Sequence, residues 1–240
     1  MIRILMLVLR NLYKLPYNWI KLWYYASHPE KYTPEQRHAF LQYIDRCANK
    51  GANVTIQAYG VENIPKENGF MFFPNHQGLY DVLPIIQTCP VPFSVVSKKE
   101  VANIPFLKQA FACMGAYMID RDDLRQSMQI INQVAKDVSG GRNVLIFAEG
   151  TRSKNGNQVG EFKGGSFKAA TKAKCPIVPV ALVDCFKPFD TNTTKPVTVQ
   201  VHYLKPLPYE EYKGMRTVEI AALVQERIQS VINASVKENP

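Results

Sequence analysis

Gly69-Phe70-Met71-Phe72-Phe73-Pro74-Asn75-His76-Gln77-Gly78-Leu79-Tyr80-Asp81 is the stretch on which the reading of this chain turns. The apolar run from Gly69 to Phe73 has the character of a strand, and a histidine and a carboxylate emerge within one short loop after it. On a regular helix the facing pairs fall three and four residues apart. On a strand, His76 and Asp81 point to opposite faces. A turn through Gly78 is what folds Asp81 back onto the imidazole. A carboxylate that accepts from one ring nitrogen fixes the tautomer and leaves the other nitrogen free to take a proton. That arrangement suits a general base acting on a hydroxyl. The segment alone equally admits a surface histidine beside a helix N-cap aspartate, because Asp81 precedes the apolar stretch Val82-Leu83-Pro84-Ile85-Ile86.

A second segment has the same form. Asn143-Val144-Leu145-Ile146-Phe147 has the pattern of a buried strand, and Ala148-Glu149-Gly150-Thr151-Arg152-Ser153 follows at once. A glycine, two hydroxyls and an arginine in such a turn make an anion site, with N–H and O–H donors and a guanidinium fork that matches phosphate or carboxylate. The competing reading is an ordinary strand-to-loop turn with a solvated Arg152.

Outward from these two loops, strands and helices alternate. Strands are expected at 54–59, 69–73, 92–97, 117–119, 143–147, 177–182 and 197–203. Helices are expected at 81–87, 106–114, 124–138 (stopped by Gly140-Gly141), 166–173 and 217–236. The alternation predicts an α/β fold with a mixed, largely parallel central sheet flanked by helices. Both loops then fall at the carboxyl ends of strands, where such sheets bind ligands.

Ahead of this lies a helical hairpin. Thr33-Pro34-Glu35-Gln36 supplies an N-cap, a first-turn proline and an acidic first turn for a helix to Lys50, which Gly51 is expected to end. Residues 1–25 are apolar and aromatic, but Arg3, Arg10, Lys14 and Lys21 leave no uninterrupted apolar run of the ~18 residues a spanning helix needs. With Asn18, those cations project into one arc of roughly 100° at ~3.6 residues per turn. The wide remainder carries Ile4, Leu5, Val8, Leu12, Trp19, Ile20, Trp23 and Tyr24. This pattern fits a helix lying in a membrane interface, kinked or split at Pro16, and equally a core helix with a solvated stripe. The expected division is a membrane-associating two-helix segment over 1–50 and a catalytic α/β domain over 51–240.

The 240 residues suffice for one full-sized domain with a small appendage. The net charge of +9 favours an anionic partner, either a membrane surface or a phosphorylated substrate. No nucleic-acid module is present, so nucleic acid is not an expected partner. Five scattered cysteines with no Cys-x-x-Cys pair offer no zinc or redox motif and fit buried free thiols. No metal site and no cofactor are expected.

Taken together, these blocks resemble the lysophosphatidate acyltransferase family, within the wider glycerophospholipid acyltransferase superfamily. The family's Asn-His-x4-Asp motif is matched by Asn75, His76 and Asp81. Its Phe-Pro-Glu-Gly-Thr-Arg-Ser motif is matched by Phe147, Glu149, Gly150, Thr151, Arg152 and Ser153, with Ala148 standing where the family usually has proline. Gly115 to Arg121 resembles the block ending Ile-Asp-Arg, Phe162-Lys163-Gly164-Gly165 the Phe-Lys-x-Gly element, and Pro176 to Val180 the Val-Pro-Val strand. The five occur in the family's order over roughly residues 55–205. The resemblance implies acyl transfer from an acyl thioester, on CoA or acyl carrier protein, to the sn-2 hydroxyl of lysophosphatidate, on the cytoplasmic face of a membrane. It implies His76 as base and Asp81 as its partner. Arg121, Arg152 and Lys163, with Gly150 and Thr151, are the candidates for the acceptor's phosphate. Asn75 and Glu149 are supporting residues, Glu149 pairing with a cation or contacting the glycerol. The oxyanion donors are not identified, and the Gly78 amide is a guess. The alternatives are glycerol 3-phosphate or another lysophospholipid as acceptor, and a non-catalytic lipid-binding relative. A serine hydrolase is a poor fit, because Gly164-Gly165-Ser166-Phe167-Lys168 lacks the closing glycine of a nucleophile elbow.

Overall fold

The computed structural model describes residues 2–238. Seven strands form one sheet: β1 (Val54–Tyr59), β2 (Met71–Pro74), β3 (Ser94–Lys98), β4 (Tyr117–Ile119), β5 (Val144–Leu145), β6 (Ile177–Val183) and β7 (Val197–Tyr203). Their order across the sheet is β1-β7-β6-β2-β5-β3-β4. All neighbours are parallel except β6 and β7, so the expected mixed, largely parallel sheet is what forms. β5 is shorter than the apolar run predicted, because the chain turns away after Ile146, whose N–H still reaches the Phe72 carbonyl at 3.0 Å.

The helices are α1 (Ile2–Arg10), α2 (Leu15–Ser27), α3 (Pro34–Ala52), α4 (Val82–Thr88), α5 (Leu107–Met114), α6 (Leu124–Ser139), α7 (Lys168–Ala173), α8 (Lys187–Asp190), α9 (Tyr209–Tyr212) and α10 (Thr217–Glu238). They cover both faces of the sheet, and the strands alternate between the two cores. Met71 and Phe73 of β2, with Ile177 and Ala181 of β6, point toward α6, α7 and α10. Phe72, Val178, Val180 and Leu182 point toward α3, α4 and α5. A strand covered on both faces has to be apolar throughout, which is why β2 and β6 show no polar alternation. Four of the five cysteines are buried in these cores, and all five are free thiols.

Thr33 caps α3 with a full capping box, its hydroxyl accepting from Gln36 N–H at 3.3 Å and Gln36 Oε1 from Thr33 N–H at 3.0 Å. The helix runs through Gly51 and ends at Asn53 in the left-handed conformation (φ 54°). Gly51 serves close packing instead of termination: a Cβ there would sit 2.3 Å from the Asn11 side chain, where the end of α1 crosses α3.

The basic arc of the N-terminal helices lies against α3, with Arg3 buried, Lys14 and Lys21 half-buried and Arg10 exposed, which corrects the expected stripe of charge facing lipid headgroups or water. Arg3 is wholly buried and donates to the carbonyls of Ala52 (2.7 Å) and Lys195 (2.8 Å). Arg10 donates to the Gly51 carbonyl and Asn53, Asn11 to the Cys47 carbonyl, and Lys14 lies 3.5 Å from Cys47 Sγ. Asn18 is buried as well. The physical reason is the carboxyl end of α3, whose unpaired carbonyls and negative dipole end draw cationic donors. The apolar arc is therefore left outside: Leu5, Leu9, Leu12, Ile20 and Trp23 are each more than half exposed. The helix is split in two ahead of Pro16, as expected. The break falls at residues 11–14, and Pro16 sits in the first turn of α2, where its missing N–H costs nothing. Among the described residues, no helix is long and apolar enough to cross a membrane.

Replacing Arg3 by Met keeps the bulk but leaves one buried carbonyl, that of Ala52, and one part-buried carbonyl, that of Lys195, without these donors. Urea unfolding should show a loss of about 2 kcal/mol. An unchanged midpoint would mean that the guanidinium does not hold α1 in place.

Candidate active site

β2 and β5 are adjacent and parallel, with Met71 opposite Val144 and Phe72 opposite Leu145. Two loops far apart in the chain therefore leave the same sheet edge side by side. The stack of the His76 ring on Phe147, centroids 4.1 Å apart, is the direct result.

Within the first loop, Asp81 folds back as the Gly78 turn predicts. Its Oδ2 takes His76 Nδ1–H at 2.7 Å, Gln77 N–H at 2.5 Å and Gly78 N–H at 3.0 Å. The N-cap reading fails, because this carboxylate faces backward into the loop and makes no cap bond to α4. Gly78 N–H is thereby committed to Asp81 and is not a free oxyanion donor. Asp81 is 1% exposed and His76 20%, so the carboxylate is shielded while the ring meets solvent. With Nδ1–H held by the carboxylate, Nε2 carries the ring's lone pair. Burial pushes the Asp81 carboxyl above its ordinary value, opposed by the bond and charge of His76 and by the two amides. Gly78 packs closely: a Cβ would lie 3.2 Å from Phe186 Cα and 2.3 Å from Asp190 Oδ2 in α8, which would have to swing aside.

Asn75 is buried and makes a reciprocal pair with Leu182 of β6, donating to its carbonyl (3.1 Å) and accepting from its N–H (2.7 Å). It continues the β2–β6 ladder one residue past the strand and aims the loop. Glu149 pairs with none of the candidate cations. Its Oε1 accepts His76 N–H at 2.7 Å and its Oε2 accepts Gly160 N–H at 3.1 Å. Ser153 N–H reaches the His76 carbonyl at 2.7 Å, so both backbone groups of the histidine are held by the second loop. Burial raises the Glu149 carboxyl, with the amides of His76 and Gly160 pulling the other way.

The candidate phosphate residues divide into two groups. Gly150 has φ 72°, and its N–H closes the turn on the Phe147 carbonyl at 3.2 Å, so this amide is occupied. Lys163 N–H returns to the Ala148 carbonyl at 2.9 Å, and its exposed side chain lies along Gly150. Thr151 and Arg152 are exposed on the same turn, with Arg152 4.0 Å from Asp190. These four residues gather beside His76. Arg121 does not: it follows β4, three strands from β2, about 14 Å away at the usual strand spacing. Its neighbour Asp120 pairs with Lys99.

Three further groups carry the site and escape the sequence reading. Gln77 Oε1 accepts from Cys185 N–H (2.8 Å), and its amide nitrogen donates to Asn157 Oδ1 (2.8 Å). Asn157 in turn donates to Asp184 at 3.0 Å. Tyr80, wholly buried, donates to Asn49 of α3 at 2.5 Å and meets Phe189 edge-on. Nothing in the spacing of Gln77, Asn157 or Tyr80 names its partner. Among the described residues, no cluster of ligands suited to a metal ion occurs.

Two pH and mutation results follow. Asp81→Asn should lower turnover by roughly 10³–10⁴ while leaving the thermal midpoint close to wild type, since the tautomer and imidazolium stabilisation are lost but the shape is kept. Because the Glu149 carboxyl is raised on folding, the stability linked to it is present below the ordinary value and lost as pH rises through the raised one. The stability advantage of wild type over Glu149→Gln should therefore shrink as pH is raised from about 4.5 toward neutrality. Chemical denaturation at several pH values checks this, and a constant difference would refute it.

Known proteins share the fold that carries this site. The family model for acyltransferases matches residues 55–183. A 1-acyl-sn-glycerol-3-phosphate acyltransferase of Borreliella burgdorferi is 32% identical over 64% of this chain and 62% of its own length. The one from Salmonella typhimurium is 30% identical over 70% and 69%. A chloroplastic one from Brassica napus is 31% identical over 65% of this chain and 49% of its own. The chain thus spans only about half to two thirds of these relatives. The crystal structure of the 1-acyl-sn-glycerophosphate (LPA) acyltransferase PlsC from Thermotoga maritima superposes with a TM-score of 0.77 at 20% identity, over 97% of this chain and 96% of that one, which speaks to the fold. On the match across residues 55–183 and the shared length with the Salmonella protein, the chain belongs to the acyltransferase family.

Proposed function

We propose that this protein transfers a fatty acyl group from an acyl thioester to the sn-2 hydroxyl of lysophosphatidate, giving phosphatidate for phospholipid synthesis. The observation that carries the reading is the His76–Asp81 pair, with Nδ1 held at 2.7 Å and Nε2 left as the base. The donor is acyl-CoA or acyl carrier protein.

In this mechanism Nε2 takes the proton from the sn-2 hydroxyl as its oxygen attacks the thioester carbonyl carbon. Asp81 stabilises the imidazolium that forms. The tetrahedral oxyanion collapses, the C–S bond breaks, and the departing thiolate takes the proton back from His76. A thiolate leaves readily, so the base is the principal acid–base group required, worth roughly 10²–10⁴ in rate. Lys163 and Arg152, on the turn of Gly150 and Thr151, meet the acceptor's phosphate. Arg121 extends the positive edge toward the outer strands. Glu149 and Asn75 hold the dyad's backbone.

We further propose that residues 1–50 seat the enzyme on the cytoplasmic face of an anionic membrane, through the outward apolar arc of α1 and α2. The net charge of +9 adds attraction over the rest of the surface. The arginines of the inner arc serve the fold instead.

Purified protein in mixed micelles should make phosphatidate from lysophosphatidate and acyl-CoA, and His76→Ala should make none while melting as wild type does. Turnover by His76→Ala would end the general-base role. Inactivity of wild type with both donors, and with glycerol 3-phosphate, would favour a lipid-binding relative. Replacing Leu5, Leu12, Ile20 and Trp23 by serine should abolish flotation on neutral liposomes and weaken it on anionic ones, where the net charge still attracts. Undiminished flotation would place the membrane contact elsewhere.

A further inference from the structure

After β5 the chain runs from Ile146 to Lys163 with no helix or strand of its own. Such a stretch inside a compact domain needs partners for its backbone groups. The catalytic side supplies some: the His76 carbonyl for Ser153 N–H and Glu149 for Gly160 N–H. The opposite side is held by α10. Gln229 Oε1 accepts Val159 N–H at 2.8 Å, and Gln225 Oε1 accepts Phe162 N–H at 3.0 Å. The two glutamines are one helical turn apart and share a face.

Their neighbours on the inner side of α10 are Val224, Ile228 and Ile232, which belong to the core. The glutamines do different work. Gln229 donates to Asn233 Oδ1 at 2.8 Å, which turns its oxygen toward the loop, and lies 3.5 Å from the Asn157 carbonyl. Asn157 is the residue that binds Gln77, next to His76. Gln225 fixes the amide immediately before Lys163. The helix therefore grips the loop at the residue preceding one candidate phosphate cation, and again on the segment leading back to the dyad.

We propose that Gln225 and Gln229 are positioning residues that set acceptor specificity. They hold residues 150–163 at the spacing where Lys163 and Arg152 together meet a phosphomonoester, and so favour lysophosphatidate over an uncharged monoacylglycerol. The proposal rests on the acyltransferase reading above and adds the origin of its selectivity.

The test is steady-state kinetics in mixed micelles with saturating acyl donor, comparing wild type, Gln225→Met and Gln229→Met with each acceptor. Methionine matches glutamine in size and lacks the carbonyl oxygen. Each variant should raise KM for lysophosphatidate about tenfold, the scale of one lost hydrogen bond. Expected besides are a kcat within about twofold, an unchanged donor KM, and selectivity over monoacylglycerol reduced by about tenfold. Gln225→Glu, which keeps the acceptor oxygen, should recover most of the selectivity. Unchanged selectivity, or equal losses with both acceptors alongside a lowered thermal midpoint, would overturn the proposal. Wild-type amide exchange gives a reading free of substitution: Val159 and Phe162 should slow on adding lysophosphatidate micelles and not monoacylglycerol micelles, and equal exchange would overturn it too. Wild type that makes no phosphatidate would overturn this inference together with the function beneath it.

Discussion

One oxygen atom organises the catalytic edge of this protein. Oδ2 of Asp81 receives the imidazole N–H and two consecutive backbone amides, and it does so almost entirely out of water. A buried carboxylate left bare is expensive, and charge-assisted bonds from three donors offset that cost. The loop has little freedom to open without exposing this charge to an apolar surrounding, so the His76 ring keeps one tautomer and one direction. Everything else at the edge is arranged around that loop: Asn75 anchors its start to β6, Glu149 and Ser153 hold the histidine backbone, and Tyr80 ties its far end to α3.

The second feature is the inversion of the N-terminal helices. An amphipathic helix on a soluble protein ordinarily hides its apolar face and wets its charges. Here the charged arc has a strong competing partner in the carbonyl end of α3. Arginine at the end of a helix gains both hydrogen bonds and a favourable dipole interaction. Apolar side chains at Leu5, Leu12, Ile20 and Trp23 are left facing outward, a patch of the kind that marks an interaction surface. The stripe and the arc were both visible in the sequence. Which of the two faced the protein was not.

The third feature is how irregular backbone is made rigid. The chain from Ile146 to Lys163 carries several candidate substrate contacts and has no ladder to stiffen it. Its amides find side-chain acceptors instead: Glu149 from within the loop and Gln225 and Gln229 from α10. These bonds link the carboxyl-terminal helix to the catalytic edge. Precision at the site thereby depends on residues well outside the motifs.

Several parts of the structure were legible in the sequence because their causes are local. The N-cap at Thr33, the strand after Gly69, the stop at Gly140-Gly141 and the return of Asp81 through Gly78 depend on residues within a few positions of one another. The α/β class followed from the alternation of apolar runs, and the dyad from spacing and a family motif. The sequence by itself thus determined the elements, their class and the pairing of His76 with Asp81. Tertiary structure alone decided that β2 and β5 are neighbours, that Glu149 binds two amides and no cation, that Arg121 stands three strands from the dyad, and that the N-terminal charges lie against α3. Each of these depends on which distant backbone groups remain unpaired once the chain has closed on itself, and periodicity in a sequence carries no record of that.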